Sequence, residues 1–493
     1  MTETSAGYVL RRSFVLSLNR PLFCPIYTEE FLMSIAAAYM VPHPPLIVPD
    51  VGRGGEKQIE ITTASYERVA QEIARLSPET IIISSPHATM YADYFHISPG
   101  RGAKGSFAGF RAPGVKFNED YDTELVDAIS EIAFERTFPA GTMGERDREL
   151  DHGTMVPLYF IRKYLPACKI VRAGLSGLPL TDHYKFGQII RDAVEETGRK
   201  AVYVASGDLS HKLQEYGPYG FAPEGPEYDK RIMDVCSRAS FGELFDFDEA
   251  FCDKAAECGH RSFVIMAGVF DGLAVRAEQY SHEDVTGVGY GICSFTPEGP
   301  DESRRFLDMR LKKTEAELEE KKAASDEYVR LARKTIETYI SEGRTIDIPS
   351  DASEELTGRR AGAFVSIHEH GRLRGCIGTI LPTTDCVAQE IINNAISAST
   401  NDPRFDPIES HELKWLDINV DILGDPEDIS SPDELDVKRY GVIVTSGFRR
   451  GLLLPDLDGV DTVEDQIDIA RRKAGIGPNE KVKLQRFEVV RHI

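Results

Sequence analysis

The chain has 493 residues, enough for two or three domains, and its 41% hydrophobic and 28% charged content is that of a soluble globular protein. A net charge of −23 argues against nucleic acid or an anionic membrane as partner, since both need a basic face. The 8 cysteines are scattered with no C-x-x-C pair, which predicts a reducing, cytoplasmic setting, and no apolar run reaches membrane-spanning length.

Residues 1–32 carry an Arg pair and a short apolar patch that Asn19, Arg20 and Pro21 interrupt, without a clean cleavage site. They are expected to be an extension, as from a start codon assigned too early. Met33 opens the first strand-like run, and to about Phe295 such runs alternate with amphipathic stretches. "SIAAAYM", "TIIISS", "KIVRAGL", "AVYVAS" and "GVGYGICSF" read as buried strands, and residues 64–76 and 183–198 as helices. The fold class expected for 33–295 is α/β, a layered α/β/α domain with a mixed sheet. Residues 296–325 turn Pro- and Gly-containing and then highly charged, as a linker or solvated connecting helix does. Residues 326–493 open with a helix, "EYVRLARKTIETYISEG", and continue through short strands and many turns, which predicts an α+β domain.

Histidines recur just past predicted strands of the first domain. "MVPHPPLIVP" fences His43 with prolines, which fix φ and remove backbone donors, so the imidazole is presented stiffly. "TIIISSPHATM" delivers His87, "AVYVASGDLSHKL" delivers Asp208 and His211, and "RELDHGTM" puts His152 in a loop before a helix. Ligands of open α/β sheets bind at the carboxyl ends of strands, so these loops point at one edge. A single loop histidine is usually only hydrogen-bonded or solvated; the repeated context is what favours a site. Two imidazoles plus a carboxylate form the facial set of non-heme Fe(II), and Glu257 in "ECGHR" is the preferred third ligand, with Glu283 and Asp284 as other carboxylates nearby. Glu257 also reads as a first-turn helix glutamate complementing the helix dipole.

The motifs "MVPHPPLIVP", "SPHATMY", "DHG" and "SGDLSH" together resemble the class III extradiol ring-cleavage dioxygenases of the LigB type, and their non-oxygenase relatives, the Memo proteins, over residues 33–295. The resemblance implies Fe(II) held by His43, His87 and Glu257, a small catechol-like aromatic substrate, His211 as acid–base residue, His152 as a second active-site histidine, and Asp208 orienting His211. The "ECGHR" segment looks like the Memo relatives. If Cys258 rather than Glu257 reaches the metal, a softer or borderline ion such as Zn or Cu and chemistry other than ring cleavage are implied.

In the second domain "GAFVSIHEHGRLRGCIGTILP" reads as a hairpin, followed by "STNDPRFDP" and "GFRRGLLLP"; together these resemble the AMMECR domain family over 326–493. Cys376 is either a nucleophile, with His368, His370 or His411 as base, or a small strand residue whose neighbours Gly375 and Gly378 allow close packing. "NDPRF" reads as a turn fixed by Arg404 and Phe405. The fusion resembles the bacterial AmmeMemoRadiSam systems, which implies a radical-SAM protein as a separate partner, since this chain has no C-x₃-C-x₂-C signature.

Overall fold

The structure, a computed structural model, describes residues 34–144, 149–457 and 459–493. The expected extension, residues 1–32, lies outside the described residues.

The first domain is built on a six-stranded sheet. Its strands are β1 (Ile35–Val41), β2 (Thr80–Ser84), β3 (Lys169–Ala173), β4 (Ala201–Ser206), β5 (Leu273–Glu283) and β6 (Tyr290–Pro300), in the order β3-β2-β4-β1-β6-β5. The four strands β3, β2, β4 and β1 run parallel; β6 and β5 add antiparallel. Sheet residues alternate between two cores. Ala38, Met40, Ile82 and Tyr203 pack under helices including Thr123–Glu135, Leu180–Thr197 and His260–Val269. Ala37, Tyr39, Val41, Ile81 and Val204 face Glu60–Leu76 and His152–Tyr164. Both faces of the parallel strands are thus dry, which is why they read as continuous apolar runs rather than alternating ones. The layered α/β/α expectation and each strand run named for it are borne out.

Strand β6 pairs with β5 through Pro300, past the expected end of the first domain at 295. The charged stretch behind it is a helix, Phe306–Ala324, with only Leu307 and Leu318 buried. It bridges the halves: Arg310 lies 3.3 Å from Asp246, and Lys321 lies 2.5 Å from Asp417.

The second half curls one antiparallel sheet around helices. Its main strands are β7 (Ala363–Glu369), β8 (Arg372–Gly378), β9 (Leu416–Leu423), β10 (Tyr440–Ser446), β11 (Arg449–Leu453) and β12 (Lys483–His492), in the order β8-β7-β9-β12-β10-β11. Helices Glu327–Glu342 and Val387–Thr400 cover one face of β7 and β9, and Val463–Lys473 covers β10 and β11. The β7–β8 hairpin turns at His370–Gly371, as its sequence predicts. Its tip docks on the first domain, where Arg372 donates to the Gly177 carbonyl at 2.7 Å and pairs with Glu249.

Candidate metal centre

Three parallel strands end on one side of the sheet, and the side chains just beyond them converge. The chain leaves β1 through Pro42, whose carbonyl accepts from the Tyr66 hydroxyl, and presents His43 almost fully buried. Its backbone N–H donates to Asp208 Oδ1 at 2.7 Å. Ser206, the last residue of β4, spends its O–H on the Gly153 carbonyl at 2.6 Å, so its oxygen is left to accept from His43 Nδ1 at 3.0 Å. That fixes the tautomer: Nδ1 carries the proton and Nε2 keeps its lone pair. Burial, with neighbouring His87, pushes the His43 pKa down to about 3, so the ring is neutral near pH 7.

The lone pair of His43 Nε2 faces His87 Nε2 at 3.0 Å and Cys258 Sγ at 3.6 Å. His87 is exposed, so the cluster is buried on the His43 side and open to solvent on the His87 side. The His152 ring lies tilted over His87, centroids 4.0 Å apart, with its pKa lowered to about 3 by burial and then by His87 and His43. His152 is not in a loop: it is the first residue of its helix, and Asp151 is the N-cap. Asp151 Oδ1 accepts from the Ser85 hydroxyl at 2.6 Å and the Thr154 N–H at 3.0 Å, while Oδ2 meets Arg172 at 2.7 Å. Burial alone would raise the Asp151 pKa; Arg172, Ser85 and Thr154 outweigh it and hold it at about 2. This buried ion pair ties β3 to the start of the His152 helix, and the Ser85 hydroxyl ties in the end of β2, just before His87.

The β4 loop supplies the other wall. Asp208 and His211 stand with Cys258 in a second group whose ligand atoms lie within 4.8 Å of one another. A Cβ on Gly207 would sit 2.1 Å from the Gly259 Cα. Only two glycines in contact let these loops approach closely enough for Asp208 N–H to donate to Cys258 Sγ at 3.3 Å. Burial raises the Asp208 pKa to about 6, against the pull of the His43 N–H, and lowers that of His211, whose Nε2 is buried without a hydrogen-bond partner. The Cys258 thiol is pushed well up by burial. Phe110 beside His152 and Tyr219 stacked on His211 give the approach an aromatic surface.

Residues 37–293 match the family described as catalytic LigB subunit of aromatic ring-opening dioxygenase, and residues 329–492 match the AMMECR1 family. A protein of Clostridium acetobutylicum is 43% identical over 469 residues, spanning 93% of this chain and 99% of its own. A Thermotoga maritima protein is 52% identical over 167 residues, 34% of this chain and 96% of its own. Among solved structures, one from Pyrococcus horikoshii is 33% identical, with a TM-score of 0.32, covering 33% of this chain and 88% of that one. The chain belongs to the LigB family and carries an AMMECR1 domain behind it.

Within the LigB domain the structure brings His43, His87, His152, Asp208 and His211 to one edge. It sends Glu257 elsewhere. That carboxylate accepts from the His260 backbone N–H at 2.6 Å, capping the helix that follows, and it lines a small cavity with Phe247 and Arg372. Burial raises its pKa to about 7. Glu257 is not in the first turn of a helix: it lies ahead of His260–Val269 and accepts from that helix's first N–H, while the neighbouring thiol faces the imidazole pair. Glu283 is also remote, accepting from Thr62 N–H at 2.6 Å. Ser206, Ser85 and Arg172 were not legible as part of the site; the first two close strands that read simply as buried.

Among the described residues, two imidazoles and a thiol within 4.8 Å form a donor set that suits a transition metal. Asp208 lies beside it, its Oδ2 3.9 Å from His43 Nε2. No helix among the described residues is long and apolar enough to cross a membrane.

Proposed function

We propose that the LigB domain is a metal-dependent redox or modification centre of the Memo type, with His43, His87 and Cys258 as ligands and a small organic substrate. The observation that carries the reading is that the Cys258 thiol, not the Glu257 carboxylate, faces the imidazole pair. A thiolate and two imidazoles favour a softer or borderline ion, Cu, Zn or Fe, over the oxygen-rich sites of hard cations. When bound, such an ion supplies Lewis acidity or electron transfer at an open coordination position.

The chain's own groups handle the rest. Ser206 holds the His43 lone pair on the cluster. Asp208, with a pKa near 6, is a proton reservoir next to His211, whose neutral, unpartnered Nε2 is free to take or give a proton to substrate. His152 and Phe110 define the far side of the approach, where an apolar molecule displaces water. A cytoplasmic setting and a separate radical-SAM partner belong to this reading.

The test is the metal content of protein purified without oxygen. Cys258→Ala is expected to lose bound metal, and Glu257→Gln to keep it. Retention in Cys258→Ala with loss in Glu257→Gln refutes the proposal. A second reading, Fe(II)-dependent extradiol cleavage of a catechol-like aromatic, is favoured by the description of the matching family. It expects iron-loaded protein to convert catechols to yellow ring-opened products, with His211→Ala and His152→Ala impaired at the proton transfers.

A further inference from the structure

The AMMECR1 domain holds a cavity of about 1040 Å³, larger than a single ring needs and at the upper limit of sites for drug-sized ligands. We propose that it is a second binding site, independent of the metal centre, for a flat aromatic molecule without positive charge, with hydrogen-bonding groups along one edge.

The floor of the cavity is one face of β7 and its neighbours. Ala363, Val365 and Ile367 point into the helical core at 0% exposure, so Phe364, Ser366 and His368 point the other way, into the cavity. Strand register extends this face sideways: Ser366 stands opposite Cys376 on β8 and Asn419 on β9. A row of hydroxyl, thiol and carboxamide therefore crosses three strands. Ser366 donates to Cys376 Sγ at 3.3 Å. The Asn419 carboxamide makes no hydrogen bond among the described residues, so one donor and one acceptor lie side by side, unused, in a half-buried place. Burial lowers the His368 pKa, leaving a neutral ring beside them. Phe364 closes the floor at one end: its ring lies over Gly378, where a Cβ would come within 2.2 Å of it.

The opposite wall is aliphatic, from Leu452, Leu454, Leu457, Val460 and Ile469. All but one of the ionised groups of the lining are paired; exposed Lys473 has no ion-pair partner among the described residues. Arg404 forks onto Asp402 at 2.6 and 2.9 Å, and Arg491 onto Asp421 at 2.9 and 3.3 Å. Asp456 has Lys438 at 3.0 Å. A cation must break one of these pairs or be buried without a partner, and either is costly, whereas a negative group can be met only at the rim, by Lys473. An uncharged slab with a polar edge breaks none: its faces meet Phe364 and the leucines, and its edge meets Asn419, Ser366 and His368. Donor–acceptor edges of this kind are found on phenols and on nucleobases. Of the three histidines considered as bases for Cys376, only His368 shares this cavity; His370 sits at the hairpin turn, and His411 is exposed beside Glu409.

Cys376 is a built-in reporter, half-buried on the floor. The experiment measures its alkylation by iodoacetamide in the full-length protein, by peptide mass spectrometry, with catechol or adenosine present at millimolar concentration. Half-buried Cys168, outside both sites, is the control. Saturation-transfer NMR on the same two probes gives a readout that does not depend on thiol reactivity. The expected result is protection of Cys376, not Cys168, by one of the probes, together with an NMR signal from that probe. Asn419→Ala and Ser366→Ala should each weaken apparent affinity about tenfold, the loss of one or two neutral hydrogen bonds. Which probe binds separates the phenolic from the nucleobase source. Absence of any NMR signal sensitive to Asn419→Ala overturns the proposal, as does protection confined to Cys258, which assigns binding to the metal centre.

Discussion

Ser206→Ala tests the metal centre through a residue that would touch no metal. In the native protein the hydroxyl is committed to the Gly153 carbonyl and its oxygen accepts from His43 Nδ1, in a place where Ser206 is fully buried and His43 only 2% exposed. Removing it leaves a buried N–H without a partner, which costs about 1–3 kcal/mol. The ring can escape by moving its proton to Nε2, but that aims an N–H into the cluster and withdraws the lone pair facing His87 and Cys258. Either way the donor set is weakened, and the size matches the roughly 10–100-fold loss of affinity typical when the group orienting a ligating histidine is removed. The assay is competition between protein and a chromophoric chelator under anaerobic conditions, alongside urea unfolding of the metal-free protein. Metal affinity in Ser206→Ala within about twofold of wild type would refute the tautomer argument, since RT ln 2 is far below the cost of an orphaned buried donor.

Other consequences follow from neighbouring contacts. Gly207→Ala forces a Cβ against the Gly259 backbone and should separate the Asp208 and Cys258 loops, with metal loss and a destabilisation of about 1–3 kcal/mol in urea melts. Arg172→Met leaves the buried Asp151 carboxylate uncompensated and should cost about 3–5 kcal/mol, read as a lowered urea midpoint. Asp151 also gives a pH dependence: its folded pKa, about 2, lies below the unfolded value near 3.9, so its contribution of about 2–3 kcal/mol is fully present above pH 5 and is lost as pH falls towards 2. In Arg172→Met that acid-side loss should shrink, because the depression of the pKa goes with the guanidinium. Glu257→Ala should leave metal affinity unchanged, because its carboxyl faces the His260 N–H and not the imidazole pair.

What the sequence made legible were features whose cause is local. Buried parallel strands are apolar runs, and His43, His87 and His211 follow such runs within a few residues, so a shared edge was readable before any coordinates. The choice between Glu257 and Cys258 was not, because the segment between two helices has no periodicity from which to read which side chain turns inward. Ser206 was hidden for another reason: a serine at the end of a buried strand has the same appearance whether it caps a loop or orients an imidazole. The AMMECR1 cavity joins Phe364 and Asn419, which strand register sets on neighbouring strands, to Leu452 from the far end of the curled sheet and Ile469 from a helix, and no local pattern brings such distant positions together.

The adjacency of Glu257 and Cys258 ties the two halves of the protein together. Side chains of successive residues diverge, so one segment presents a thiol to the imidazole pair and a carboxyl to the opposite side, where it shares a cavity of about 150 Å³ with Arg372 and His370 of the AMMECR1 hairpin. Glu249, which begins the short helix before that segment, pairs with both Arg261 and Arg372. The segment carrying Cys258 is therefore held on its inner face by Asp208 and on its outer side by contacts that include the second domain. Exposed ion pairs such as Arg372–Glu249 contribute little to global stability. Their consequence is positional: the domain interface lies one residue away from the thiol that separates the two readings of the metal centre. Arg372→Ala should leave the urea midpoint within about 1 kcal/mol of wild type, while metal affinity falls if the hairpin helps hold Cys258 in place. An unchanged affinity would assign the positioning of Cys258 wholly to the glycine contact and the Asp208 backbone.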